Sequence, residues 1–273
     1  MTVAEAIRAA ADRLAATSDT ARLDAELLMA HALGLSRSDM LLRAMRDLVP
    51  ASFAALITRR SAHEPVAYIT GTAEFYGLTL TVTPATLIPR GDSETLIEAA
   101  LGVAGKAGRV IDLGTGSGAL VLAMLANRTG WRGVGVDASE AALAVASANA
   151  AAAGLAERST WCHRNWHTSG WADDLGTFDL ILCNPPYVEL AAALEPQVRD
   201  HEPASALFAG PEGLDDYRAL IPQIVKLLVP GGVAIFEIGH AQAEAVSAIA
   251  ANAGFTADLR HDLAGRPRAL ILR

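Results

Sequence analysis

The chain has 273 residues, room for one large or two ordinary domains, and its 52% apolar and 19% charged content is that of a globular protein in water. A net charge of −8 argues against a partner gripped mainly through phosphates, because nucleic-acid binders usually present a basic surface. The two cysteines, Cys162 and Cys183, lie in or beside apolar runs, which reads as buried thiols in a reducing compartment.

Residues 1–8 lack a charged segment leading into an apolar one, and no run of 18 apolar residues occurs. Neither a signal peptide nor a membrane span is therefore expected, and the cytoplasm is the expected location. Residues 1–65 read as a small helical domain, with helices over 4–16, 20–33, 36–44 and 51–62 and with Thr20 and Ser36 as N-caps. Leu23, Leu27 and Leu28, with Ala30 and His31, are spaced as an apolar stripe. Nothing in this stretch has the chemistry of a site, so its expected task is recognition or packing. Over 66–82, β-branched and aromatic residues broken by glycine predict a hairpin. Together with the Pro-rich loop that closes at Arg90, residues 66–90 form the expected link to a larger domain, 91–273.

A helix is expected from Asp92. Strands then fall near 109–113, 133–137, 158–163, 178–183, 232–238, 254–260 and 268–272, with helices near 118–128, 139–153, 214–229 and 240–252. Such alternation implies a mostly parallel sheet with helices on both faces, joined by right-handed crossovers. A short Gly-Arg-Pro turn, with no helix, separates the last two strands and predicts a hairpin. The expected fold is α/β: a Rossmann-like, doubly wound, mostly parallel seven-stranded sheet with one antiparallel strand, plus the small N-terminal helical domain.

Two segments carry chemistry. In the first, the run Arg109-Val110-Ile111-Asp112-Leu113 enters the glycine-rich turn Gly114-Thr115-Gly116-Ser117-Gly118 and then a helix. Glycines allow positive φ and close backbone approach, and a helix N-terminus offers free N–H groups to a carboxylate or phosphate. Asp137 ends the next strand, where a carboxylate can accept from the hydroxyls of a ribose. Gly114, Gly116 and Ala119 also satisfy a dinucleotide fingerprint, and such a loop can be a plain tight turn. Asp112 favours another ligand: an acid before the first glycine suits the ammonium of an amino-acid-bearing cofactor such as S-adenosylmethionine and would repel a pyrophosphate. Ala138, at the next helix start, falls near the expected adenine.

The second segment, Asn184-Pro185-Pro186-Tyr187, follows the apolar run 178–183. An Asn side chain offers both an acceptor and a donor, so it can pair with a primary amide or an exocyclic amine. Two prolines hold the backbone rigid and leave their carbonyls free to accept. Tyr187 can stack on a flat group. A bare Pro-Pro turn at a strand end is the plainer reading of any one of these residues, and a less apt one for all four in order.

With both segments in hand, the chain resembles the release factor glutamine methyltransferases of the PrmC/HemK type, which use S-adenosyl-L-methionine. The resemblance runs from the helical N-terminus to the end. It is densest in Glu64-Pro65-Val66-Ala67-Tyr68-Ile69-Thr70-Gly71, Glu74-Phe75-Tyr76-Gly77, Leu87-Ile88-Pro89-Arg90, the Asp112 to Gly118 turn, Asn184 to Tyr187 and Glu237-Ile238-Gly239. The Asn-Pro-Pro-Tyr motif alone is shared with methyltransferases of DNA adenine and ribosomal RNA. The Ile-Pro-Arg loop and the Tyr-Ile-x-Gly segment point to the protein-glutamine branch. The resemblance implies a substrate glutamine in the Gly-Gly-Gln motif of class I peptide chain release factors. It also implies a cofactor site at Asp112, Gly114, Thr115, Gly116, Gly118, Asp137, Ala138, Asn165, Trp166 and Asn184, and substrate binding by Asn184, Pro185, Pro186, Tyr187 and Arg90. Catalysis falls to Asn184, Pro185 and Tyr187: the Asn184 side-chain carbonyl and the Pro185 carbonyl each accept one substrate N–H, and Tyr187 covers the amide plane. Two departures stand out. The family loop Pro-Glu-Thr-Glu reads Gly91-Asp92-Ser93-Glu94 here, and the aspartate usual before the Trp is Asn165.

A metal site at Cys162, His163 and His167 is not expected, since two histidines straddling a strand end do not share a face and a fourth ligand is missing. Glu237 reads as structural. The chain is expected to act as a monomer, with no membrane and no direct nucleic-acid partner. The alternative reading is a DNA or RNA amino-methyltransferase that works on a flipped-out base.

Overall fold

The computed structural model describes residues 1–273. The chain divides into two compact units, one made of Met1–Thr72 with Leu194–His201 and the other of Ala73–Ala193 with Glu202–Arg273. The first unit thus extends past the expected boundary and gains a second, distant segment.

In the first unit, helices Val3–Leu14, Ala21–Leu33, Phe53–Ser61 and Val66–Thr70 close over a core that includes Ile7, Leu14, Leu28, Met29, Met40 and Phe53. The opening helix is fixed by a reciprocal cap. The Thr2 hydroxyl accepts from the Glu5 N–H at 3.3 Å, and the Glu5 carboxylate accepts from the Thr2 N–H at 2.8 Å. Ser36 caps its helix by accepting from the Asp39 N–H. Thr20 does not cap; its hydroxyl donates to the Asp24 carboxylate at 2.9 Å.

The buried face of Ala21–Leu33 is Asp24, Ala25, Glu26, Leu28, Met29 and Ala30, while Leu23 and His31 are exposed. Two carboxylates thus lie where the pattern suggested apolar contact. Each is tolerated because a guanidinium meets it, as a buried lone charge costs several kcal/mol. Arg60 Nε lies 2.7 Å from Asp24, and Arg22 and Arg37 both lie 2.6 Å from Glu26.

The hairpin is shorter than expected. Val66–Thr70 is a helix, entered from Pro65 and ended by Gly71 at φ 78°. Burial of Tyr68 and Ile69 overrides their β-propensity. Strands β1 (Thr72–Phe75) and β2 (Leu78–Thr81) follow, turning at Tyr76 and Gly77 with φ of 47° and 79°. Two positive φ values in succession match the twist of a tight hairpin.

The second unit carries a seven-stranded sheet of β3 (Ala107–Leu113), β4 (Gly130–Asp137), β5 (Ser159–His163), β6 (Phe178–Cys183), β7 (Leu228–Glu237), β8 (Ala257–His261) and β9 (Pro267–Leu272). Their order is β5-β4-β3-β6-β7-β9-β8. All pairs are parallel except those of β9, the single antiparallel strand. The chain winds outward from β3 through β4 to β5, then returns to lay β6 on the other side of β3. That reversal opens a crevice beyond the carboxyl ends of β3 and β6, the usual ligand position in such sheets.

Side chains alternate between the faces. Val110, Leu180, Leu182 and Ile235 pack with helices Glu94–Val103 and Ala119–Asn127. Ile111, Leu113, Ile181, Cys183 and Phe236 pack with helices Asp215–Ile224 and Ala243–Asn252. Counting by twos along β3 and β7 assigns Asp112 and Glu237 to the first of these faces. Both are almost fully buried, each with 1% exposure. A carboxylate at such a position needs a reason. No helix is long and apolar enough to cross a membrane.

Candidate active site

At the end of β3 the turn Gly114–Gly118 is pinned to the next strand, where the Gly114 and Thr115 N–H groups both donate to the Val136 carbonyl, at 2.8 and 2.9 Å. Gly114, Gly116 and Gly118 have φ of 75°, 54° and 83°, so L side chains at these places would be strained. Their surroundings differ. A Cβ on Gly116 would meet open space, whereas one on Gly114 would lie 3.3 Å from the Trp166 ring and 3.8 Å from the Asn184 carbonyl oxygen. Gly118 instead faces Leu122, Trp161 and Ala146 at 3.0 to 3.3 Å, so it serves the close packing of the following helix.

A cavity of about 470 Å³ opens at this edge of the sheet. Gly114, Thr115, Gly116, Asp137, Ala138, Asn165, Trp166, Asn184, Pro186 and Arg90 all line it, so the structure brings together most of the residues singled out from sequence. Asp112, Gly118, Pro185 and Tyr187 are not on its wall.

Asp137 ties the glycine turn to the next helix. One carboxylate oxygen accepts from the Gly116 N–H and the other from the Ser139 N–H, both at 2.9 Å. An ionised carboxylate has about four acceptor positions, so two remain for hydroxyl donors.

Asp112 stands behind the turn. Its Oδ2 accepts from the Thr115 hydroxyl at 2.7 Å, while Oδ1 is buried without a hydrogen-bond partner. Burial pushes its pKa up to about 7; the Thr115 hydroxyl and the Val121 amide pull the other way, and the Asp137 charge adds to the rise. An orphaned acceptor of this kind awaits a donor or a cation.

On the β6 side, Asn184 Nδ2 donates to the Ser93 hydroxyl oxygen at 3.4 Å, and the Ser93 hydroxyl donates to Glu237 Oε2 at 2.5 Å. The Tyr187 hydroxyl donates to Glu237 Oε1 at 3.3 Å, and its ring packs against the core. Tyr187 therefore braces the loop from behind, where sequence reasoning expected it to cover the amide. Burial and the neighbouring Glu237 push its phenol pKa well up. Glu237 itself is raised to about 7 by burial, opposed by the Ser93 hydroxyl and the Arg268 charge.

Trp166 is held by its indole N–H, which donates to Asp216 at 2.7 Å; His167 Nε2 meets the same carboxylate at 3.0 Å. His163 goes elsewhere, its Nδ1 pairing with Glu140 and its Nε2 with the Ala138 carbonyl. Arg90 is ion-paired with the buried Glu202, whose second oxygen accepts from the Ile88 N–H.

This geometry can be set beside known proteins. The PrmC N-terminal domain model matches residues 5–71, and the methyltransferase small domain model matches residues 92–199. The release factor glutamine methyltransferase of Bradyrhizobium diazoefficiens is 42% identical over 99% of this chain and 94% of its own length. That of Rhodospirillum rubrum is 43% identical over 92% of this chain and 78% of its own. The chain belongs to the release factor glutamine methyltransferase family. Among solved structures, a methyltransferase from Pyrococcus furiosus superposes with a TM-score of 0.53 at 16% identity, covering 80% of this chain and 96% of that one. A ribosomal protein L11 methylase from Lactobacillus delbrueckii subsp. bulgaricus gives 0.50 at 23%, covering 67% and 78%. At such identities these two speak for the fold alone.

The two departures from the family pattern are absorbed locally. Asp92 reaches Arg268 at 2.9 Å, and Ser93 retains a hydroxyl where the family has threonine. Gly91 has no positive φ, so nothing in the backbone there demands glycine. Asn165 accepts from the His167 N–H at 2.9 Å, a turn that a neutral amide closes as well as a carboxylate. Ser93, Glu237, Asp216 and Glu202 were not read as site residues from sequence. Ser93 appeared there only as part of the departing loop, and Glu237 as a charge ending the apolar run Ala234-Ile235-Phe236.

Proposed function

We propose that this protein transfers the methyl group of S-adenosylmethionine to the side-chain amide nitrogen of the glutamine in the Gly-Gly-Gln motif of class I peptide chain release factors. The observation that carries this reading is that one cavity is walled by both the glycine turn and Asn184, with Gly114 beside the Asn184 backbone carbonyl.

The residues present fit the cofactor. Behind the turn, Asp112 offers an unpartnered carboxylate oxygen and a negative charge for an ammonium group. Gly116 leaves open space, Asp137 keeps two acceptor positions for hydroxyls, and Trp166 supplies an aromatic wall. Bound there, S-adenosylmethionine supplies a methyl group activated by its sulfonium charge.

The task left to the protein is orientation, because an amide lone pair is delocalised into its carbonyl and attacks poorly. With its Nδ2 turned to Ser93, Asn184 presents Oδ1 as an acceptor for one substrate N–H. We assign the second acceptor to the backbone carbonyl of Pro185, the residue between Asn184 and Pro186, which both line the cavity. Two acceptors fix the amide plane and aim the nitrogen. Alignment of this kind supplies several kcal/mol, of the about 7–11 available to well-oriented reactants. Positive charge grows on nitrogen as the bond forms, so both carbonyls bind it more tightly in the transition state than before. Transfer leaves a cationic amide nitrogen that still carries both its hydrogens, so it is strongly acidic and needs no dedicated base. Its proton leaves to water.

The reading extends to a monomer working in the cytoplasm on a protein substrate. Its net charge of −8 supports a partner other than nucleic acid. The test is methyl transfer from methyl-labelled S-adenosylmethionine to class I release factor and, separately, to DNA and RNA oligonucleotides. Label is expected in the release factor, with little dependence on salt. Label in an oligonucleotide alone would instead support a base-amine methyltransferase.

A further inference from the structure

We propose that Ser93 and Glu237 are positioning residues that set which end of the Asn184 amide faces the cavity. The proposal rests on the methyl-transfer reading above and deepens it.

Asn184 is useful only one way round. With Oδ1 toward the substrate it accepts an N–H; with Nδ2 toward it, two donors face two donors and the amide is repelled. Nothing in the Asn side chain itself decides between them, because its two ends have almost the same shape. The choice passes to Ser93, whose hydroxyl has a single hydrogen. Glu237 Oε2, 2.5 Å away, takes that hydrogen when ionised. Ser93 is then left with lone pairs only toward Asn184, 3.4 Å away, and the amide must turn Nδ2 to it. If Glu237 carries a proton, the order reverses: Glu237 donates to Ser93, Ser93 donates to Asn184 Oδ1, and the donor end of the amide faces the cavity.

The surroundings keep Glu237 near this balance. Buried at the end of β7, its carboxylate accepts from the Tyr187 hydroxyl of the loop after β6 and its backbone carbonyl from the Tyr217 hydroxyl of helix Asp215–Ile224, while Cys183 of β6 lies within electrostatic reach on the other face of the sheet. Arg268 of β9 favours the ionised form, and Asp92 of the turn Gly91–Ser93 opposes it. Arg268 is shared with Asp92 at 2.9 Å and Asp262 at 3.2 Å, so its charge is not spent on Glu237 alone. The resulting pKa, raised to about 7, places the switch in the working range. Its sign is clear: the productive orientation belongs to the ionised form and is lost as pH falls through that value.

The experiment is the single-turnover methylation rate of release factor at saturating S-adenosylmethionine, followed between about pH 6 and 8.5, for the wild type, Ser93→Ala, Ser93→Thr and Glu237→Gln. The wild-type rate is expected to rise with pH around a midpoint near 7. Ser93→Ala should lower the rate about tenfold and lose that midpoint, with cofactor affinity by calorimetry unchanged. Ser93→Thr, which keeps the hydroxyl, should restore both rate and profile. Glu237→Gln should lose the midpoint. If its buried site prevents folding, the Ser93 pair decides by itself. Wild-type rate and profile in a Ser93→Ala protein that binds cofactor normally would overturn the proposal. A wild-type protein that methylates no release factor would overturn the activity reading, and this proposal with it.

Discussion

Asn184→Ala is expected to slow methyl transfer to release factor on the order of 1,000-fold while S-adenosylmethionine binds within a few-fold of its wild-type affinity. The split follows from what Asn184 touches. Its backbone carbonyl lies beside Gly114, while its side chain bonds to Ser93. Alanine keeps the first relation and removes the second. The substrate amide then keeps one acceptor, the Pro185 carbonyl, and is free to rotate about it. Loss of a preorganised hydrogen-bonding group in such a site typically costs about 10²–10³ in rate, and loss of alignment adds to that. Calorimetry for cofactor affinity, beside single-turnover rates, separates the two effects. Equal loss of both would move Asn184 from the transferring end of the cavity to the cofactor's own contacts.

Much of this was legible in the chain. Strands β3, β4 and β6 announce themselves as short apolar runs bounded by glycine or proline, and the sheet's antiparallel strand follows from a turn too short for a helix. Asp112 stood out because a charge interrupts the run before the glycines, and in the fold it is almost fully buried. What stayed hidden depends on partners far away in sequence. Ser93 and Glu237 are 144 positions apart, and neither has a local pattern that names the other. The direction of Tyr187 is likewise set by Glu237, since a buried phenol seeks an acceptor more strongly than a ring seeks an empty cavity. Gly118 looks like its two companions in sequence, yet only the packing of Leu122, Trp161 and Ala146 explains its place. In the helical unit, the apolar stripe gave no sign that Asp24 and Glu26 would be buried against Arg60, Arg22 and Arg37.

Asp112→Asn is expected to weaken S-adenosylmethionine binding about 10- to 100-fold, the range for losing one charge-assisted contact. The wild-type affinity should also fall as pH drops below about 7, because Asp112 in the ligand-free protein then carries a proton that a cationic ligand must displace. The Asn variant should lack that dependence. Stability moves the opposite way. A carboxyl whose folded pKa lies near 7, above its ordinary value of 3.8, favours the fold fully below that ordinary value, and the contribution is lost as pH rises through 7. Glu237 acts with the same sign. The ligand-free wild type should therefore lose on the order of a few kcal/mol of stability from these groups between about pH 5 and 8, and Asp112→Asn should lose less. Thermal unfolding across that range, with and without cofactor, checks both. A wild type and variant with parallel pH profiles would mean that Asp112 keeps an ordinary pKa and that its buried charge is neutralised by something other than a ligand.

That Asn184 holds a carboxamide against an activated methyl group is tested most directly by tandem mass spectrometry of a class I release factor after incubation with this enzyme and S-adenosylmethionine. One added methyl on the side-chain nitrogen of the Gly-Gly-Gln glutamine is the expected product, absent when Asn184 is alanine. A release factor recovered unmodified, or methylated at any other residue, would contradict it.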